Sequence, residues 1–75
     1  MTLVDGYMTA TTGDLAEAAL LAIRGHRRRL GCDADVLHVH PDDARALGQE
    51  FAGLRVTPDQ GIQSGHVWAV REGAA

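Results

Sequence analysis

Apolar positions recur along this chain with two different periods, and the places where the period changes mark the elements. Leu15, Ala18, Ala19, Ala22, Ile23, His26 and Leu30 fall on one side at helical spacing, with Glu17, Arg24, Arg27 and Arg28 on the other. Asp14 precedes them at the N-cap position with Glu17 three residues on, the pattern of a capping box. Gly31 follows where a left-handed residue ends a helix. Together these predict a helix over 14–30. Gly25 lies in its interior, where glycine costs about 1 kcal/mol against alanine, so close packing by another element is expected there.

The period then becomes two. Val36, Leu37 and Val39 predict a strand over 35–40, stopped by Pro41, which has no N–H for a ladder. Pro41, Asp42 and Asp43 suit the first turn of a second helix, predicted over 42–51 with Ala44, Leu47 and Phe51 as its apolar stripe and Gly53 as its stop. A short strand is expected over 54–57. Pro58 to Gly61 is turn chemistry, Ile62 anchors the loop, and Ser64–Gly65 is a second break. Val67, Trp68 and Val70 then predict a last strand over 66–71.

The resulting order is α-β-α-β-β. This is an α/β (α+β) domain: a small mixed three-stranded sheet with two helices packed on one face and the other face half-exposed. The strand–helix–strand unit implies a parallel pair with a right-handed crossover, and the final strand is expected antiparallel. Residues 1–12 are polar, Thr-rich and weakly patterned, and predict a flexible N-terminal arm. A single domain spans 13–72, and 73–75 is a tail.

Several pieces of this pattern, taken together, resemble the family of tailed-phage major capsid proteins and encapsulins. They are the helix from Leu15 to Leu30, then Ala34-Asp35-Val36-Leu37-His38-Val39-His40-Pro41-Asp42-Asp43-Ala44, then Gly53-Leu54-Arg55-Val56-Thr57-Pro58, and last Gly65-His66-Val67-Trp68-Ala69-Val70. In that family a hydrophobic strand runs into Asn/His-Pro and a short helix, and a glycine leads a second strand into a turn. The bulky residue usual after the acidic pair is Ala44 here. The resemblance implies structural or interaction work and no catalysis. Such capsid subunits are several times longer, and this chain would lack room for their arm, extended loop and full peripheral domain. The expectation is therefore an accessory or capsid-related phage protein rather than a lattice-forming subunit.

Composition narrows the classes. A chain of 75 residues buries only about 60% of its unfolded surface, so its interior is thin and a partner or a homo-oligomer is expected. The net charge is −3 with no lysine, which disfavours nucleic acid as a general partner. One cysteine, Cys32, excludes an intrachain disulfide and fits a reducing, cytoplasmic setting, the host cytoplasm or a virion if the protein is phage-derived. No apolar run is long enough for a membrane span, and the start of the chain has no cationic, apolar leader pattern.

Four features carry candidate chemistry. Arg24, Arg27, Arg28 and Arg29 concentrate positive charge at the end of the first helix. Arg24, Arg27 and Arg28 are the candidate partner-binding cations, able to grip phosphate or an acidic protein patch; the plainer account is a solvated helix end that complements the dipole. Trp68 is the candidate aromatic anchor of an interface, against a plainer role in the core. His38 and His40 stand two apart on a strand and so share a face, where they are candidate metal ligands with Cys32, Asp35 and His66 in reach; the plainer account is histidine tolerated on a half-exposed face. Neither Asp42 and Asp43, which suit a helix start, nor Cys32 builds a catalytic constellation, so no catalytic residue and no cofactor are expected. The expected function is a non-enzymatic structural or protein-interaction module. The alternatives are a small regulator of a nucleic-acid-handling machine acting through the arginine helix, and a His-based metal-binding module.

Overall fold

The computed structural model of the chain describes residues 6–10 and 13–72. Seven elements follow one another: β1 (Gly6–Ala10), α1 (Leu15–Leu30), β2 (Val36–Val39), α2 (Pro41–Leu47), β3 (Glu50–Phe51), β4 (Leu54–Pro58) and β5 (His66–Val70). The strands form one mixed sheet in the order β1-β5-β2-β4-β3. Strands β2 and β4 are parallel, as the intervening α2 requires, and every other pairing is antiparallel.

The α+β class is as expected, but the sheet has five strands rather than three. Residues 6–10, expected in a flexible arm, are edge strand β1, paired through all five positions with β5. Residues 1–5, 11–12 and 73–75 of the expected arm and tail lie outside the described residues. The second helix stops at Leu47 instead of 51, because Gly48 at φ 89° ends it with its N–H on the Ala44 carbonyl. Glu50 and Phe51 then form β3 and turn back onto β4 through Ala52 (φ 52°) and Gly53 (φ 83°). Two successive positive φ values match the twist of a tight hairpin. The last strand does run antiparallel to β4, but it pairs with β2 and β1 instead, lying between them.

Both helices cover one face. Alternation sends Leu37, Val39, Val67, Ala69, Leu54 and Val56 to that face, where they meet Ala18, Ala19 and Ala22 of α1 and Ala44 and Leu47 of α2. Asp14 caps α1 as its position predicts, its carboxylate accepting from the N–H groups of Ala16 (3.1 Å) and Glu17 (3.3 Å). Gly31 closes it in the left-handed conformation at φ 75°. The buried stripe of α1 is largely alanine, so the helix lies close on β1 and β5. Thr9 ties them by donating to the Ala18 carbonyl at 2.7 Å. Gly25 marks the closest approach: a Cβ there would sit 2.2 Å from the Tyr7 ring. That contact is the reason for a glycine inside the helix.

The opposite face carries a cross-strand row of Met8, Trp68, His38 and Thr57. Met8 is exposed, Trp68, His38 and Thr57 are half-buried, and their neighbours Val36 and Val70 are buried, so this face is only partly open.

Candidate functional site

The arginine end of α1 overhangs the edge of the sheet. Leu21, Arg24, Gly25 and Arg28 follow the i, i+3, i+4, i+7 spacing of one helix face, and that face looks along β1. With Arg29, Tyr7 and Thr9 they enclose a groove of about 580 Å³. The groove is built from the sequence upward. Leu21 is exposed and supplies an apolar wall. Tyr7 is held by its packing on Gly25, and Thr9 by its hydrogen bond to Ala18. Both line the groove together with three exposed guanidinium groups.

Arg24, Arg28 and Arg29 are all exposed, and among the described residues none of them forms an ion pair. Three uncompensated cations thus converge on one groove in a chain whose net charge is −3. Guanidinium groups favour planar, two-point contacts with carboxylate or phosphate oxygens. The arrangement can therefore hold an anion and bury an adjacent apolar group against Tyr7 and Leu21.

The expected cation set is split by the helix. Arg24 and Arg28 line the groove, whereas Arg27 lies outside it and its Nε stands 3.7 Å from the Asp33 carboxylate. Both of those side chains are largely exposed, so this pair contributes little. Arg29 takes the place of Arg27 in the groove. It stands four residues after Gly25 and eight after Leu21, so it continues the spacing of the groove face. Tyr7 and Thr9 belong to a strand whose pairing partner lies some sixty residues away, and local sequence carries no signal of that.

Trp68 is not part of this site. It stands on the opposite face of the sheet, where its indole lies over Gly6; a Cβ on Gly6 would be 2.5 Å from its Cζ2. Its first role is thus to cover the backbone of the edge strand. His38 and His40 do not converge either. His38 Nε2 is 2.7 Å from the Glu72 carboxylate, with Asp59 at 3.6 Å from Nδ1. Arg55 completes this surface network at 3.7 Å from Glu72. His40 instead caps α2, its Nδ1 accepting from the Asp42 N–H at 3.2 Å. Among the described residues no three His, Cys, Asp or Glu side chains are grouped to hold a metal ion.

His26 and Asp43 each make a structural hydrogen bond, whereas among the described residues His66 Nδ1 and His26 Nε2 are buried without a hydrogen-bond partner. His26 is buried in the helix-covered side, its Nδ1 donating to the Cys32 carbonyl at 2.8 Å. Asp43 reaches from α2 to accept the Gly65 N–H at 2.7 Å, holding the loop that leads into β5. A second surface hollow of about 660 Å³ lies between α2 and β4. Among the described residues its one charged lining residue, Arg45, is already 4.0 Å from Asp42.

Among the described residues no helix is long and apolar enough to cross a membrane. Compared with protein-family models, with curated proteins and with solved structures, the chain shows no match. The groove must therefore be read on its own chemistry.

Proposed function

We propose that this protein is a non-enzymatic interaction module that docks an acidic segment of a partner protein in the groove between α1 and β1. The observation that carries the reading is the convergence of Arg24, Arg28 and Arg29, unpaired among the described residues, over Tyr7 and Leu21. Three other titratable groups make structural hydrogen bonds: His40 on α2, His26 on Cys32 and Asp43 on Gly65. The overall charge of −3 repels an extended polyanion at long range, so a local acidic stretch fits the site better than a nucleic acid. The resemblance to tailed-phage capsid proteins suggests a phage accessory protein, cytoplasmic in the host, that contacts a capsid or host factor. A regulator of a nucleic-acid-handling machine would use the same arginines on an acidic face of that machine.

Calorimetric titration with a capped glutamate-rich peptide tests the proposal. Arg24→Glu with Arg28→Glu should abolish binding, and Arg27→Glu should leave it unchanged because Arg27 lies outside the groove. Binding should weaken with added salt, as exposed ion pairs do. Equal losses at all three positions, or tighter binding of an oligonucleotide than of the peptide, would refute the reading.

Self-assembly is the second reading, favoured by the exposed Met8, Leu20 and Leu21 and by the thin interior. Light scattering distinguishes it: a homo-oligomer whose mass does not change on charge reversal in the groove would support assembly through those apolar residues.

A further inference from the structure

Two edges of the sheet differ sharply. Strand β3 is a two-residue edge carrying Glu50, too short and too charged to accept another strand readily. Strand β1 is five residues, Gly-Tyr-Met-Thr-Ala, with no charge and no proline, and it pairs in unbroken register along β5. None of the usual devices that blunt an edge strand occurs within it. Tyr7 and Thr9 of this strand line the groove that holds the three arginines.

The spacing of the cations suits an extended chain. Arg24 and Arg28 lie one helical turn apart, roughly 6 Å along α1. Alternate residues of a strand lie about 6.7 Å apart on one face. A strand laid beside β1 would thus present every second side chain to the arginines, at nearly their own separation.

We infer that the groove takes its ligand as an added strand: an extended segment of a partner protein pairs with the outer edge of β1 and directs acidic residues at alternate positions to Arg24, Arg28 and Arg29. This rests on the proposed docking function and specifies its geometry. Main-chain hydrogen bonds to β1 supply the sequence-independent part of the affinity, and the arginines select the acidic face. Tyr7 and Thr9 line the same groove as the arginines, Tyr7 against Gly25 and Thr9 bonded to the Ala18 carbonyl.

The test uses the whole chain and a capped peptide of alternating Glu and Thr. Amide hydrogen exchange in β1 should slow roughly tenfold or more on saturation, as newly bonded N–H groups become protected. Two N-methylated versions of the peptide separate the geometry from the charge. Methylation in the phase whose N–H groups face β1 should abolish binding, and methylation in the other phase should be tolerated. Arg24→Ala with Arg28→Ala should weaken the unmodified peptide by roughly tenfold, in line with two exposed but well-aimed ion pairs.

Binding that tolerates both methylated phases and leaves β1 exchange unchanged overturns strand addition while preserving acidic docking in the groove. Failure of every acidic peptide to bind overturns both. A dimer of the free protein whose β1 amides are already protected assigns the edge to a second copy and also overturns the inference.

Discussion

Replacing Gly25 by alanine sets two effects of opposite sign against each other. In a helix interior alanine is worth about 1 kcal/mol over glycine. Here the added Cβ would stand 2.2 Å from Cε2 of Tyr7, with Cδ2 and Cζ at 2.5 and 2.6 Å. Ordinary carbon contacts lie near 3.5 Å, so the ring or the helix must move by roughly 1.3 Å. Three consecutive ring atoms are involved, so the overlap is with a ring edge and not a single atom. Overpacking of this kind costs about 1–3 kcal/mol. Moving Tyr7 also gives up part of the area it buries against α1. The balance is a net loss of about 1–2 kcal/mol, which in a domain of this size lowers Tm by roughly 4–15 °C. In a Tyr7→Ala background the obstacle is gone and only the helix preference remains, so the same substitution should stabilise by up to about 1 kcal/mol. Urea or thermal unfolding of the four members of this cycle reads the coupling directly. If Gly25→Ala raises stability in the parent protein, or acts equally in both backgrounds, the Tyr7 contact does not explain the glycine.

Other perturbations follow from single contacts. Ala52→Asn should raise stability by about 0.5–1 kcal/mol in chemical unfolding, because Asn tolerates the positive φ that Ala52 adopts in the hairpin turn. Asp14→Ala should cost about 1 kcal/mol by removing the acceptor for two N–H groups at the start of α1, with helix signal lost by circular dichroism in proportion to unfolding; no change would show that the cap is already satisfied by water. His26→Ala should cost about 2–4 kcal/mol, since it opens a cavity in a thin core and strands the Cys32 carbonyl; a change in melting temperature below a few degrees would contradict its burial. Gly6→Ala should push Trp68 off the edge strand, shifting its fluorescence toward the red and speeding exchange in β1 before the rest of the sheet; an unshifted spectrum would show that the indole does not cover Gly6.

Local chemistry declared α1 almost completely. Its cap, stop and apolar stripe all depend on residues within one or two turns of each other, and Gly25 announced a close neighbour without saying which. Strand β2 and the parallel unit around α2 were legible for the same reason. The end of α2 was not, because Ala44, Leu47 and Phe51 keep helical spacing across a helix that Gly48 has already stopped. The hairpin at Ala52–Gly53 was hidden because alanine stands where asparagine or aspartate would have advertised the turn.

The candidate site divides in the same way. A cluster of four arginines at the end of a helix is visible in the sequence, and so is the net negative charge that makes the cluster unusual. Which of those arginines act together depends on what lies beside the helix, and that is β1. This strand draws its stability from pairing with β5 at the other end of the chain and from the Tyr7 and Thr9 contacts with α1. None of those interactions is local. Elements whose reasons lie in neighbouring residues could be read in advance, and so could the concentration of positive charge. That residues 6–10 form an edge, and that Arg29 and not Arg27 lines the groove beside it, depends on contacts remote in the chain, because long-range strand pairing sets which surfaces come together.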